Sequence, residues 1–299
     1  MFTPQTSARA AQQALDSPDG STGIRGWAAR RPLTAFLLLV FGVGWPLMSV
    51  PALSAHGVLP GGDLPAEVWI LATVFLVMLP AAMWVTWASE GRRGVQSMLR
   101  RSFRWRFGAG WWALVLLALP LVTLGVGLIT GRSLQASNVV SLLASEILAL
   151  VIAVVVINLW EETVWAGFLQ TRLERRHGLA GAAGLTSIAF AGIHVPLGFV
   201  GDFSATSVAV GFAVLLAVSV LIRLLVGVML RAAADSLLAV GVLHAVWNTS
   251  NNEGGLADSL LSGGQPTVPA VIAAALLTGA VAIAIRPRLT RDFRRGAER

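Results

Sequence analysis

Apolar runs alternate with short polar ones along almost the whole chain, and they do so eight times, at about 33–53, 68–88, 111–130, 139–170, 179–197, 206–230, 235–250 and 268–285. Crossing ~30 Å of hydrocarbon takes roughly 20 apolar residues in helical form. The pattern therefore predicts about eight transmembrane helices, and an all-α polytopic membrane bundle over residues 32–285. Arg30 and Arg31 ahead of Leu33 to Leu53 resemble the start of a secretion signal, but the apolar stretch is too long for one and further spans follow. Residues 1–31 are rich in Ala, Ser, Gly and Gln and are expected to form a disordered tail, and residues 286–299 a basic one.

Composition agrees with the pattern: 56% of residues are hydrophobic, 12% are charged, and the mean hydropathy is +0.74. The net charge of +7 comes from arginine alone, since the chain has no lysine. The arginines are not spread along one face, as nucleic-acid binding would require. They cluster in alternate connections: Arg92, Arg93, Arg100, Arg101, Arg104 and Arg106, then Arg172, Arg175 and Arg176, then Arg231, then Arg286 onward. Connections rich in arginine are held on the cytoplasmic side. Both termini are thus expected in the cytoplasm of a multi-pass protein of the cell membrane. Cysteine is absent, which excludes disulfides and thiolate chemistry.

One apolar run departs from the rest. Val139 to Trp160 carries only Ser141, Ser145, Glu146 and Asn158 as polar residues, and two adjacent acids, Glu161 and Glu162, follow it. A carboxylate at membrane depth costs ~2.5–3.5 kcal/mol on insertion scales, so a function and a partner are to be sought for it. The partners expected are histidines. His56 and His177 fall in loops and read as solvated, whereas His194 lies in the fifth apolar run and His244 in the seventh. His244 and Asn248, four residues apart, share a helix face. Glu162 precedes Gly178 by 16 residues and His194 follows it by 16, so a hairpin turning at Gly178 would bring the two to one level.

This set of groups suits hydrolysis. A carboxylate or a histidine takes a proton from water, and a histidine or an amide steadies an oxyanion. Glu161, His194 and His244 would also serve as a zinc ligand set with a fourth position for water, although the H-E-x-x-H helix is missing. A serine mechanism is disfavoured, because Ser187 and Ser236 have no strand-turn-helix context. Polar groups that merely cross-bond membrane helices are the structural alternative.

Glu161-Glu162 followed by an aromatic residue and Gly167, then Phe190 with His194, then His244 with Asn248, resembles the three motifs of the CAAX prenyl protease and bacteriocin-processing (CPBP/Abi) family of intramembrane metalloproteases. The resemblance covers about Asn158 to Asn248. It implies an eight-helix bundle with endopeptidase activity on membrane-associated substrates. It implies, further, that Glu161 activates water with help from His194, that His244 and Asn248 hold the oxyanion, and that Glu162 supports the site. Two other readings are a non-proteolytic scaffold or immunity-type protein of the same fold and a proton-coupled transporter.

In one place the chain departs from the family motif, which has arginine four residues after the second glutamate where this chain has Ala166. Glu162 is then either held protonated or reached by an arginine from another helix. Arg223, inside the sixth apolar run, is the candidate, and its competing reading is a side chain that snorkels to the membrane surface.

Overall fold

The computed structural model describes residues 23–135, 138–201 and 204–297, with side chains through residue 286. Among the described residues there is no β-strand, only an isolated bridge between Leu134 and Leu261. The protein is a helical, polytopic bundle. Among the described residues six helical runs are long and apolar enough to cross a membrane: Pro32–Ala55, Ala66–Ser102, Ala109–Ile129, Val139–Phe199, Ala205–Ala232 and Thr267–Arg286.

That number differs from the eight expected in two places. The runs at 139–170 and 179–197 fall within one stretch, Val139–Phe199, although its helical geometry is interrupted at Gly178. The seventh run folds as Leu237–Asn251, whose 15 residues extend only ~22 Å, less than the hydrocarbon thickness. Within Val139–Phe199 the chain nevertheless reverses at Gly178, which adopts φ 65° and ψ −179°. Trp165 and Phe190 would stand ~37 Å apart on a straight helix, yet their ring centroids are 5.7 Å apart. Glycine supplies the positive φ of the reversal without a Cβ penalty.

The chain forms two compact units, one from Met1–Arg100 with Ile193–Ser204 and one from Arg101–Gly192 with Ala205–Arg299. In the first, Pro32–Ala55 packs on Ala66–Met78 and on the short 3-10 turn Val195–Phe199. Gly44 makes the close approach possible, since a Cβ there would stand 3.1 Å from a methyl of Ile193. His56, read from sequence as solvated, hydrogen bonds through Nε2 to the Phe199 carbonyl at 2.8 Å. Of the tail expected to be disordered, residues 1–22 lie outside the described residues, whereas Gly23–Arg30 is helical and Arg25 stacks over the Trp87 ring at 4.1 Å.

The second unit contains the carboxylates. Its apolar core joins Ala205–Ala232, Leu237–Asn251 and Thr267–Arg286 to Val115, Leu119 and Ala166. Small residues let backbones meet, as is usual between membrane helices. A Cβ on Gly241 would be 2.9 Å from Leu159 Cα, and one on Gly167 would be 2.6 Å from a Leu237 methyl. Both contacts press Leu237–Asn251, which carries His244, against the segment that carries Glu161 and Glu162.

Candidate active site

The acids occupy a six-residue α-helical segment, Leu159–Val164, with a π-helical turn on each side, Val154–Asn158 before it and Trp165–Gln170 after it. Turns of this kind insert an extra residue into the helix and are frequent at functional sites. From Leu159 to Gln170 every residue except Trp160 is buried. The segment is therefore an interior helix of the unit, and its polar residues need partners from the unit itself.

Glu162 is fully buried and has two such partners. Arg223 donates to both of its oxygens, Nη1 to Oε2 at 2.8 Å and Nη2 to Oε1 at 2.5 Å. This is the bidentate fork that matches a guanidinium to a carboxylate. Arg223 is only 1% exposed, so it does not snorkel to the surface. Its backbone carbonyl accepts from Gln170 Nε2 at 2.8 Å, and its guanidinium carbon lies 5.3 Å from the centre of the Phe190 ring. The arginine absent at position 166 is thus supplied by Ala205–Ala232. Ala166 itself belongs to the apolar core.

His244 completes the arrangement, with Nδ1 2.8 Å from Glu162 Oε1. A carboxylate engaged by a guanidinium offers only acceptors, so His244 Nδ1 is the donor and Nε2 is turned to other work. Phe190 packs against the His244 ring at 6.2 Å and Trp165 packs edge-on against Phe190, which fixes the plane of the imidazole.

Glu161 is held differently from its neighbour. It is slightly exposed, at 6%. Its Oε2 accepts a long hydrogen bond from Asn158 Nδ2 at 3.5 Å and lies 3.9 Å from His244 Nδ1. Two consecutive carboxylates therefore have different environments, one locked between Arg223 and His244 and one loosely held.

Asn248 lies one turn beyond His244, half-buried, and its side chain bonds to none of these groups. The next residue, Thr249, donates to Glu146 Oε1 at 2.7 Å and ties the end of the histidine helix to the start of the carboxylate run. His194 is the last residue of Thr171–His194, half-buried, and falls in the first unit. The second unit by itself thus brings together Glu161, Glu162 and His244 of the five residues expected, and adds Arg223.

Asn158, Gln170 and the hydroxyl pair of Ser102 and Thr163 did not figure as site residues in the sequence reading. The last two lie 2.8 Å apart. Thr163 also donates to the Leu159 carbonyl at 2.8 Å. The signal that finds Asn158 and Gln170 is the one that singles out the glutamates, a polar side chain inside an apolar run.

A metal ion fits this arrangement poorly. Among the described residues no three His, Cys, Asp or Glu side chains are grouped to hold one. His244 Nδ1 is engaged by Glu162, whose other neighbour is already a cation. No step below is routed through a metal.

Comparison with curated proteins finds no match. A family model does match, that of the Type II CAAX prenyl endopeptidase Rce1-like family, over residues 143–250. Both glutamates, His194, Arg223, His244 and Asn248 lie inside that stretch, and over it the likeness to the CAAX prenyl protease family read from the motifs holds.

Proposed function

We propose that this membrane protein is an endopeptidase that cleaves a peptide bond of a membrane-associated substrate with water activated by Glu161. The observation that carries this reading is the division of labour between the two acids. Glu162 is sealed between Arg223 and His244 with no exposed surface, whereas Glu161 keeps 6% of its surface exposed and has one long hydrogen bond. In the proposed cycle Glu161 takes a proton from water and the hydroxide adds to the scissile carbonyl. The resulting oxyanion is steadied by N–H groups of His244 Nε2 and Asn248. Glu161 then returns the proton to the leaving amine as the C–N bond breaks.

In the oxyanion role His244 donates through Nε2 while its Nδ1 stays engaged by Glu162. Glu162 acts as a positioning residue that presents His244. A role for His194 rests on the family resemblance alone.

The test is cleavage of a membrane-tethered peptide library by the purified protein in nanodiscs, native against Glu161→Gln. Loss of cleavage with unchanged insertion and thermal stability is expected. Cleavage retained by Glu161→Gln would overturn the assignment. For orientation, we propose that both termini and the Gly178 turn face the cytoplasm. A reporter placed after Arg106 or Arg176 should then read cytoplasm, and one near Gly61 or Gly255 the outside.

A further inference from the structure

The stretch Arg101–Phe107 alternates cations with aromatic rings, and the site described above has no use for this pattern. It holds Arg101, Arg104 and Arg106 with Phe103, Trp105 and Phe107, and no acid. The helical geometry of Ala66–Ser102 is interrupted at Gly91, and the next membrane-length run starts at Ala109. Arg104, Trp105 and Arg106 stand only three to five residues before that run, which keeps them near the height of the lipid headgroups. Trp105 is 59% exposed and Phe103 58%, and Arg104 and Arg106 are exposed beside them. Arg106 lies over the Trp105 ring at 4.8 Å, and neither side chain forms a hydrogen bond to the protein among the described residues.

The backbone and inner side chains of the same stretch reach both halves of the site. Toward the carboxylates, Ser102 bonds to Thr163, the residue after Glu162, and the Phe103 ring meets Trp160, the residue before Glu161, at 6.1 Å. Arg101 donates to the Gly167 carbonyl at 3.2 Å and to Thr171 Oγ1 at 3.3 Å. Toward the histidine helix, Arg101 pairs with Asp235 at 2.6 Å and Arg104 donates to the Ala234 carbonyl. The Arg104 carbonyl accepts from Ser236 Oγ at 2.5 Å, and Ser236 caps that helix by accepting from Ala239 N at 3.0 Å. Ala234 and Asp235 have φ of 52° and 63°, a left-handed pair without glycine, which persists only where contacts hold it.

We infer that Arg104, Trp105 and Arg106 form a binding surface for the phosphate headgroup of an anionic membrane lipid, and that occupancy of this surface steadies the strap joining the carboxylate segment to the histidine helix. Guanidinium groups match phosphate oxygens in a bidentate manner, and an exposed indole beside them belongs at headgroup level. A nucleic acid or an acidic protein would need the surface to stand clear of the membrane, which a place three to five residues before a membrane-length run does not allow.

The activity readout rests on the endopeptidase reading, so binding is measured independently of it. The native protein is placed in nanodiscs of phosphatidylcholine alone or mixed with phosphatidylglycerol, and lipid preference is read by competition between brominated lipids and by the thermal shift between the two compositions. Arg106→Gln, Trp105→Ala and Arg104→Gln are compared with it, with soluble glycerophosphate as a control for free phosphate. The native protein should prefer the anionic lipid, losing roughly fivefold of that preference per arginine removed and more at high salt. Peptide cleavage should rise several-fold with phosphatidylglycerol in the native protein and stay at its phosphatidylcholine level in Arg106→Gln and Trp105→Ala. Glycerophosphate should not substitute. A native protein without lipid preference, or variants that keep it, would overturn the surface. Lipid preference that depends on these residues in a protein with no cleavage would leave the surface standing and remove the endopeptidase reading instead. Preference without any change in cleavage would remove the coupling through the strap.

Discussion

Two parts of one helical run differ in polar content and stand in opposite environments. Val139–Ala153 contains no buried residue, whereas in Leu159–Gln170 only Trp160 escapes burial. The first part presents Val140, Ile147 and Leu148 outward, as a helix does to lipid. In the second, large apolar residues such as Trp165 and Phe168 pack inward around charges. Hydropathy measures only whether a segment tolerates the membrane, and lipid tails are as apolar as leucine. What separates the parts is polar content. A side chain that must find a partner pulls its segment into the interior, while one without polar groups gains little by leaving the lipid.

The comparison is sharpened most by changing one acid in each part. Glu161→Gln should lower turnover by ~10²–10⁴, the usual contribution of a positioned general base. Glu146→Gln should keep turnover within a few-fold, since a glutamine oxygen still accepts from Thr249. Initial rates on the same peptide decide it, and equal losses would erase the distinction between the parts.

Next in size is the buried ion pair. Arg223→Gln leaves Glu162 without its guanidinium and should cost about 3–5 kcal/mol of stability, along with most activity. Moving the guanidinium back, Arg223→Ala combined with Ala166→Arg, conserves side-chain volume across the contact and should recover part of both losses. Thermal unfolding and cleavage of the single and double variants measure the coupling. A double variant no better than Arg223→Gln would show that the site does not accept the charge from position 166.

Smaller effects follow from packing alone. Gly241→Ala forces a methyl against the Leu159 backbone and should destabilise by ~1–3 kcal/mol, read as a lower unfolding temperature in detergent. Leu148→Ala and Ile147→Ala, on the lipid-facing part, should change that temperature hardly at all, within the ~0.5 kcal/mol usual for surface changes. A large loss at Leu148 would mean that the face is covered by protein.

The apolar runs were legible in the sequence because burial in lipid needs only length and hydropathy, and the bundle class follows from them. Their number was not legible to the same degree. Residues 235–250 read as a span, and the helix there, Leu237–Asn251, has 15 residues and is held closely between its neighbours at Gly241 and Gly167. The reversal at Gly178 was legible because glycine stands where a polar tip interrupts two apolar runs.

Within the site, Glu161, Glu162 and His244 stood out as charges in apolar surroundings. Arg223 stood out too, but its snorkelling alternative was settled only by tertiary packing, since ~12 Å of helix separates it from Arg231 and either direction was open to a long side chain. Sequence alone also gave no sign that Ser102 and His56 were engaged. Their partners, Thr163 and the Phe199 carbonyl, are distant in sequence and follow no spacing rule.

The π turns that flank Leu159–Val164 act on the chain as a pair of gear changes. Each inserted residue advances the helix by ~100° without lengthening it by a full turn. The six residues between them are thereby phased independently of what precedes and follows. Val139–Ala153 keeps its outer face toward lipid, Thr171 onward starts the hairpin, and the glutamates point where neither neighbour's wheel would send them. Drift in the outer spans, by substitution or by small changes in length, need not rotate the acids. Deleting one residue from 154–157, by contrast, would return that turn to α geometry and swing Glu162 away from Arg223 and His244 although no site residue is itself removed.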